Sequence, residues 1–130
     1  MNGKIRKVTT VEGVPAARAS YSIFTTVGNL IFLAGQVAVD STTGEVPEGF
    51  ADQLRLILDN IKLILGSAGS SMDNILKTTV FLKDRAYHVE YDKIYQSYFK
   101  NGYPARSTVV AELMHEDFLV EIDAVALLPD

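Results

Sequence analysis

Arg106 and Glu121 are the residues of this sequence best suited to chemistry on a small carboxylic acid. A guanidinium held on a strand can bind a carboxylate through two parallel hydrogen bonds, and a nearby glutamate can hold a water molecule or move a proton. Both residues lie in segments that alternate like strands, and the polar run His115-Glu116-Asp117 between them is typical of a turn. The pattern predicts a β-hairpin formed by residues 103–108 and 119–126.

The predicted hairpin brings two carboxylates close to the guanidinium. Its register sets Arg106 opposite Asp123 and sets Thr108 opposite Glu121. All four side chains would then share one face, because strand side chains have a period of two. The alternative interpretation is structural, since ion pairs across neighbouring strands are a routine part of sheet stability.

The composition fits one small globular domain that spans residues 1–130. With 48% hydrophobic and 22% charged residues, the chain can bury a single core. It has no cysteine, which excludes disulfides, thiolate catalysis and cysteine-based metal sites. The formal net charge of −4 disfavours nucleic acid as a partner. No apolar run reaches the roughly 18 residues of a membrane helix, so we expect a soluble, cytoplasmic protein without membrane contact.

The remaining strands must position the two chemical residues in a sheet. Residues 4–10 predict an edge strand, and residues 21–27 and 30–34 predict a hairpin because Gly28-Asn29 separates two β-rich runs. The run from Leu30 to Leu33 is apolar on both strand faces. It therefore predicts that both faces of the sheet are covered, one of them by a neighbouring subunit.

Two amphipathic helices complete the predicted fold. Apolar residues recur at helical spacing from Phe50 to Ala68 and predict about five turns. A second helix, predicted to end at Asn101-Gly102, carries an aromatic stripe that we interpret as core rather than as a cofactor cage. With a strand at residues 75–83, the order β, ββ, α, β, α, ββ predicts an α+β domain with two helices on one face of a mixed sheet.

The two histidines do not indicate a metal site. His88 and His115 lie far apart in the sequence, without the i, i+4 spacing or the acidic partners that zinc sites show. The sequence also lacks a GxSxG elbow and a glycine-rich run before a helix, so neither a hydrolase triad nor a nucleotide-binding loop is supported. We predict that the protein binds no metal.

Two motifs around Arg106 and Glu121 carry a family resemblance. Pro104-Ala105-Arg106-Ser107 is followed, fifteen residues after the arginine, by Glu121 within Val120-Glu121-Ile122-Asp123-Ala124-Val125-Ala126. This arrangement resembles the signature of the RidA (YjgF) family of reactive enamine/imine deaminases. Further similar segments, in order, are Gly28-Asn29-Leu30-Ile31, Ala34-Gly35-Gln36, Thr43-Gly44-Glu45-Val46, Leu58-Asp59-Asn60-Ile61 and Lys77-Thr78-Thr79-Val80-Phe81-Leu82-Lys83-Asp84.

The resemblance implies a fold, an assembly and an activity. The fold would be chorismate-mutase-like and assembled as a homotrimer with ligand sites in clefts between subunits. The activity would be hydrolysis of 2-imino acids, such as 2-iminopropanoate and 2-iminobutanoate, to 2-keto acids and ammonia without a cofactor. Arg106 and the backbone N–H of Thr108 would bind the substrate carboxylate, and Glu121 would position the water. Tyr21 matches a cleft tyrosine from the neighbouring subunit, and Gly35 matches a glycine whose backbone faces the ligand.

The sequence departs from the family pattern at three positions of the predicted cleft. Thr108 stands where cysteine is frequent, and Ala34 stands where serine is frequent. Asp92 replaces a cleft asparagine, and a second carboxylate there opposes substrate binding unless it points away or pairs with a cation. These departures indicate a divergent member and leave the preferred imino acid open.

Three functional hypotheses follow from the sequence. The first is an imine deaminase, which the presence of both Arg106 and Glu121 favours because a simple anion-binding protein needs only the arginine. The second is a non-enzymatic trimer that binds a small carboxylate as a sensor or regulator. The third, a ribonuclease or translation inhibitor as attributed to some relatives, is disfavoured by the acidic net charge.

Overall fold

The computed structural model describes residues 3–129 of the chain. These residues form six strands and two α-helices, which in chain order are β1 (Arg6–Val8), β2 (Phe24–Val27), β3 (Leu30–Val37), α1 (Phe50–Ser67), β4 (Ile75–Leu82), α2 (His88–Gln96), β5 (Ala105–Val110) and β6 (Val120–Leu127). Single turns of 3₁₀-helix at Met72–Asn74 and Arg85–Tyr87 precede β4 and α2. Within the same residues, no helix is long and apolar enough to cross a membrane. The predicted α+β class and order of elements are confirmed.

The six strands form one mixed sheet in the order β1-β2-β3-β6-β4-β5. β4 and β5 are parallel because α2 carries the chain back along the sheet between them, and the other neighbouring pairs are antiparallel. The hairpin of β2 and β3 forms as predicted. Gly28 at its turn has a φ of 57°, a conformation that glycine adopts without steric cost.

The predicted hairpin between β5 and β6 is wrong, because β4 lies between these strands. Arg106 is adjacent to Thr78 of β4, whereas Asp123 is adjacent to Thr79 on the other side of that strand. The connection from β5 to β6 is not a tight turn. It passes over the end of β4, where the N–H of Ala111 donates to the carbonyl of Leu82 at 3.0 Å and the N–H of Lys83 donates to the carbonyl of Leu119 at 3.0 Å.

The two faces of the sheet differ in their covering. Along β6, buried and half-buried residues alternate strictly, as expected for a strand with one covered face. The even-numbered residues pack under α1 and α2 and include Ile122 and Ala124. The odd-numbered residues, including Glu121 and Asp123, lie on the opposite side, which we call the open face.

The helices cover the first face and form the core with it. α1 has 18 residues, in agreement with the predicted five turns, and buries residues such as Leu54, Ile57 and Ile61 completely. α2 ends at Gln96, five residues before the predicted stop at Asn101. The chain beyond α2 tightens into i→i+3 hydrogen bonds and is then held by the Asp73 carboxylate, which accepts from the backbone N–H of Lys100 at 3.0 Å.

The open face carries exposed apolar side chains in this single chain. Phe32 of β3 is 40% exposed and Val109 of β5 is 44% exposed, although both lie within the sheet. Glu121 lies in a row with Val37, Phe81 and Val109, so its carboxylate has apolar neighbours along the sheet. Exposed apolar groups of this kind on a sheet mark a surface suited to covering by another chain.

Candidate active site

The guanidinium of Arg106 lies on an aromatic platform supplied by α2. Its central carbon is 4.8 Å from the ring centroid of Tyr91 and 5.1 Å from that of Tyr95, distances at which a cation is attracted to a ring face. The Tyr95 hydroxyl lies 2.7 Å from the hydroxyl of Thr78 on β4, which fixes the ring beneath the guanidinium. The platform holds Arg106 on the helix-covered side of the sheet.

Asp92 is the direct ionic partner of Arg106. Nη1 of Arg106 donates to Oδ1 of Asp92 at 2.9 Å, and Nε2 of Gln96, one helical turn later, donates to Oδ2 at 3.1 Å. The hydrogen bond from Arg106 and then that from Gln96 lower the pKa of Asp92, so this carboxylate is ionised at neutral pH. The sequence leaves two ways for this second carboxylate to avoid opposing a substrate: it can point away from the cleft or pair with a cation. The structure shows the pairing with a cation.

A cavity of about 280 Å³ opens in front of this ion pair. Its lining consists of Asp92, Tyr95, Gln96, Tyr103, Pro104 and Arg106. Because Asp92 takes only Nη1, the Nε and Nη2 groups of Arg106 have no acceptor among residues 3–129. These two groups form the edge of a guanidinium that can bind a carboxylate through two parallel hydrogen bonds.

Thr108 follows Arg106 on the same side of β5 and extends this region. Its neighbour across the strands is Val80, which is buried under the helices. The hydroxyl of Tyr91 is buried beside Thr108 and lacks a hydrogen-bond partner within residues 3–129, and burial raises the pKa of this phenol. We name Asp92, Arg106 and Thr108 the arginine half-site.

Glu121 lies on the open face and therefore on the other side of the sheet from Arg106. It is half-buried, and burial, with a further contribution from the neighbouring Asp123, raises the pKa of its carboxyl group. A group with a raised pKa accepts a proton more readily than an ordinary carboxylate does. The predicted placement of both residues on one face is wrong, because the two strands are separated by β4 and present opposite sides at these positions.

Tyr21 and Gly35 belong with Glu121. They line a second cavity of about 220 Å³, together with residues that include Arg18, Gln36 and Phe118. The Glu121 carboxylate rests against Gly35, where a Cβ atom would overlap it. We name Tyr21, Gly35 and Glu121 the glutamate half-site. The structure thus divides the predicted site residues into two groups.

Gly35→Ala is expected to disturb the glutamate half-site without unfolding the protein. The added methyl group meets the end of a flexible side chain, so Glu121 can swing away and the fold is kept. We expect any turnover that depends on this carboxylate to fall at least about tenfold, because catalysis depends on its position. Gly66→Ala in α1 is the matched control, since nothing lies within 4 Å of the methyl group added there. Turnover unchanged by Gly35→Ala would remove Glu121 from the site.

Sequence reasoning missed the aromatic platform and Gln96. The pattern predicts that the stripe containing Tyr91 and Tyr95 belongs to the core, and both residues are buried, but their ring faces also support the guanidinium. The available signal was the i, i+4 spacing from Tyr91 to Tyr95 and from Asp92 to Gln96 on one short helix. This spacing predicts that the two tyrosines form one row of side chains on the helix, that Asp92 and Gln96 form a neighbouring row, and that both rows face the same strand.

The fold defines a class of small α+β domains in which two helices cover one face of a six-stranded mixed sheet. Comparison with known proteins gives the family, because the model described as Endoribonuclease L-PSP matches residues 12–128. The chain belongs to this family, which is also known as RidA or YjgF.

Individual relatives agree with this assignment over almost their whole length. A RutC family protein of Pyrococcus horikoshii is 38% identical over 94% of this chain and 98% of its own. The 2-iminobutanoate/2-iminopropanoate deaminase of Escherichia coli K12 is 38% identical over 93% of this chain and 97% of its own. Among solved structures, the YjgF gene product of E. coli superposes with a TM-score of 0.88 at 36% identity, covering 95% of this chain and all of that one. E. coli TdcF with bound serine superposes with a TM-score of 0.88 at 33% identity, covering 94% of this chain and 98% of that one.

Proposed function

We propose that this protein hydrolyses reactive 2-imino acids, of the 2-iminopropanoate and 2-iminobutanoate type, to 2-keto acids and ammonia. The observation that carries the proposal is the Nε and Nη2 edge of Arg106, which has no acceptor among residues 3–129 and lies beside a small cavity. It is supported by 38% identity to an E. coli enzyme named 2-iminobutanoate/2-iminopropanoate deaminase. A carboxylate next to the reacting carbon is the group that such an edge binds best.

The proposed reaction requires a second copy of the chain. Arg106 and Glu121 lie on opposite sides of one sheet, so one chain cannot bring both to the same small substrate. The open face around Glu121 presents Phe32 and Val109 to a partner. We propose a homotrimer in which the arginine half-site of one subunit meets the glutamate half-site of the next, so that each cleft is complete.

In this cleft each group has a defined task. Arg106, with the backbone N–H of Thr108, binds the substrate carboxylate and fixes the imine carbon. Glu121 accepts a proton from a water molecule as the water attacks that carbon, and later supplies a proton as ammonia leaves. Tyr21 and the backbone of Gly35 form the wall of the cleft on the side of Glu121. The imine is intrinsically reactive, so this small set of groups is sufficient.

The test is hydrolysis of freshly generated 2-iminopropanoate and 2-iminobutanoate by the purified protein and by Glu121→Gln. We expect turnover by the native chain and a loss of at least about tenfold in the variant, because the amide cannot accept the proton. Only ionised Glu121 can act as the base, so native turnover should decrease as the pH falls through its raised pKa. The variant should lack this acidic limb. Absence of native turnover on every imino acid tested would contradict the proposal.

A second candidate function is binding of a small carboxylate without catalysis. The observation that favours it is Asp92, which already neutralises part of Arg106 and departs from the family pattern. The TdcF structure with bound serine shows that a relative binds a small carboxylic acid. The imine assay separates the two functions, because a binding protein retains affinity for the carboxylate and gives no turnover in the native protein or in Glu121→Gln.

A further inference from the structure

Asp92 gives the cavity at Arg106 an unusual charge balance. One guanidinium and one carboxylate face the same cavity, joined at 2.9 Å, so their charges cancel. The other lining groups are uncharged: the amide of Gln96, the phenols of Tyr95 and Tyr103, and Pro104. A ligand that carries only a negative charge can still accept the hydrogen bonds of the Arg106 edge, but it gains no attraction from a net charge and meets a like charge close to that edge.

A ligand of matching charge pattern avoids this penalty. Arg106 and Asp92 line the same cavity of about 280 Å³, so a small acid whose carboxylate occupies the Nε and Nη2 edge of Arg106 shares that cavity with the Asp92 carboxylate. A cationic N–H there can donate to Asp92, whose side chain is 39% exposed and thus has room for a further donor. A carbonyl oxygen at the same position can only accept hydrogen bonds and is repelled.

We propose that Asp92 makes this site selective for a carboxylate next to a cationic nitrogen, which in the proposed deaminase reaction is the protonated 2-iminium acid. The inference rests on the proposed function and names the protonation state of its substrate. Asp92 accepts a hydrogen bond from the iminium N–H while Arg106 holds the carboxylate. The neutral imine and the 2-keto acid, which lack the cationic nitrogen, bind more weakly.

This assignment fits the chemistry of the reaction. The balanced step is R–C(=NH₂⁺)–COO⁻ + H₂O → R–CO–COO⁻ + NH₄⁺, in which water forms the new C–O bond and the C–N bond breaks. The iminium is a stronger electrophile than the neutral imine, and a nearby carboxylate favours the charged form. The product keto acid has lost the cation that Asp92 recognises, so the same carboxylate that favours substrate opposes retention of product.

The test compares alanine with pyruvate, two ligands with the same carbon skeleton that differ in the cationic nitrogen. Calorimetry should show that the native protein binds alanine more tightly than pyruvate. In Asp92→Asn, which keeps the shape and a hydrogen-bond acceptor for Arg106, pyruvate affinity should rise and alanine affinity should fall, each by about tenfold. Glu90→Gln is the matched control, because it removes one exposed carboxylate from α2 outside the cavity lining and should leave the ratio unchanged.

The possible outcomes distinguish this inference from the proposed function. If Asp92→Asn lowers the affinities for alanine and pyruvate equally, Asp92 only holds Arg106 in position and the inference is overturned. An unchanged ratio of the two affinities would overturn it as well. If Arg106→Ala binds neither alanine nor pyruvate and has lost turnover, the proposed site is supported whatever the result with Asp92→Asn. Unchanged binding of both ligands in Arg106→Ala would overturn the site and the inference together.

Discussion

Arg106→Ala is expected to lower imine turnover by at least about 100-fold, because the variant lacks the groups that bind and orient the substrate carboxylate. The free energy of unfolding should change little. The side chain contributes a partly exposed ion pair with Asp92 and contacts with two ring faces, which together stabilise the fold by about 1 kcal/mol. Asp92 stays bonded to Gln96 and accessible to water, so the substitution leaves no buried unpaired charge.

Two further variants sharpen this expectation. Arg106→Lys keeps the charge and loses the pair of parallel donors, so its turnover should lie between those of the native and alanine proteins. Arg6→Ala is a matched control, because Arg6 also lies over a ring, that of Phe24, at 5.9 Å, but far along the sheet. Imine turnover and melting temperature should be measured on the same preparations. Retained turnover together with a lowered melting temperature would assign Arg106 to structure alone.

The local structure was well predicted from the sequence because its signals are short-range. Gly28-Asn29 between two β-rich runs gave the hairpin of β2 and β3, and the apolar period from Phe50 gave α1 almost to the residue. The separation of β5 from β6 by β4 could not be obtained in this way. Strands that are close in sequence usually pair, but here β4 offers one edge to each of them, and only the complete sheet determines that arrangement.

The site residues were partly predictable for the same reason. Strand periodicity correctly places Arg106 and Thr108 on one side, and Glu121 and Asp123 together on another. Their relation across the sheet depends on the strand order, so the predicted shared face did not follow from the sequence. The ion pair of Arg106 with Asp92 depends on where α2 lies against β5, which no local pattern specifies.

The separation of Arg106 from Glu121 leads to a prediction about mixed assemblies. Arg106→Ala and Glu121→Gln should each be nearly inactive as pure trimers. When equal amounts are unfolded and refolded together, a cleft is complete wherever a Glu121→Gln subunit supplies its arginine to an Arg106→Ala subunit that supplies its glutamate. Random assembly into a ring makes about one quarter of the clefts complete, so about one quarter of native turnover should return.

This recovery can arise only if the two half-sites come from different chains. A site formed within one chain would contain a defect in every copy, and the mixture would remain as inactive as its components. Light scattering of the mixture should first give about three times the chain mass, since the argument requires a trimer. The matched control is the double variant Arg106→Ala/Glu121→Gln refolded with an equal amount of native chain. About one quarter of the clefts are then complete if the site lies between subunits, but about one half are complete if it lies within one, so the two mixtures together determine where the reaction takes place.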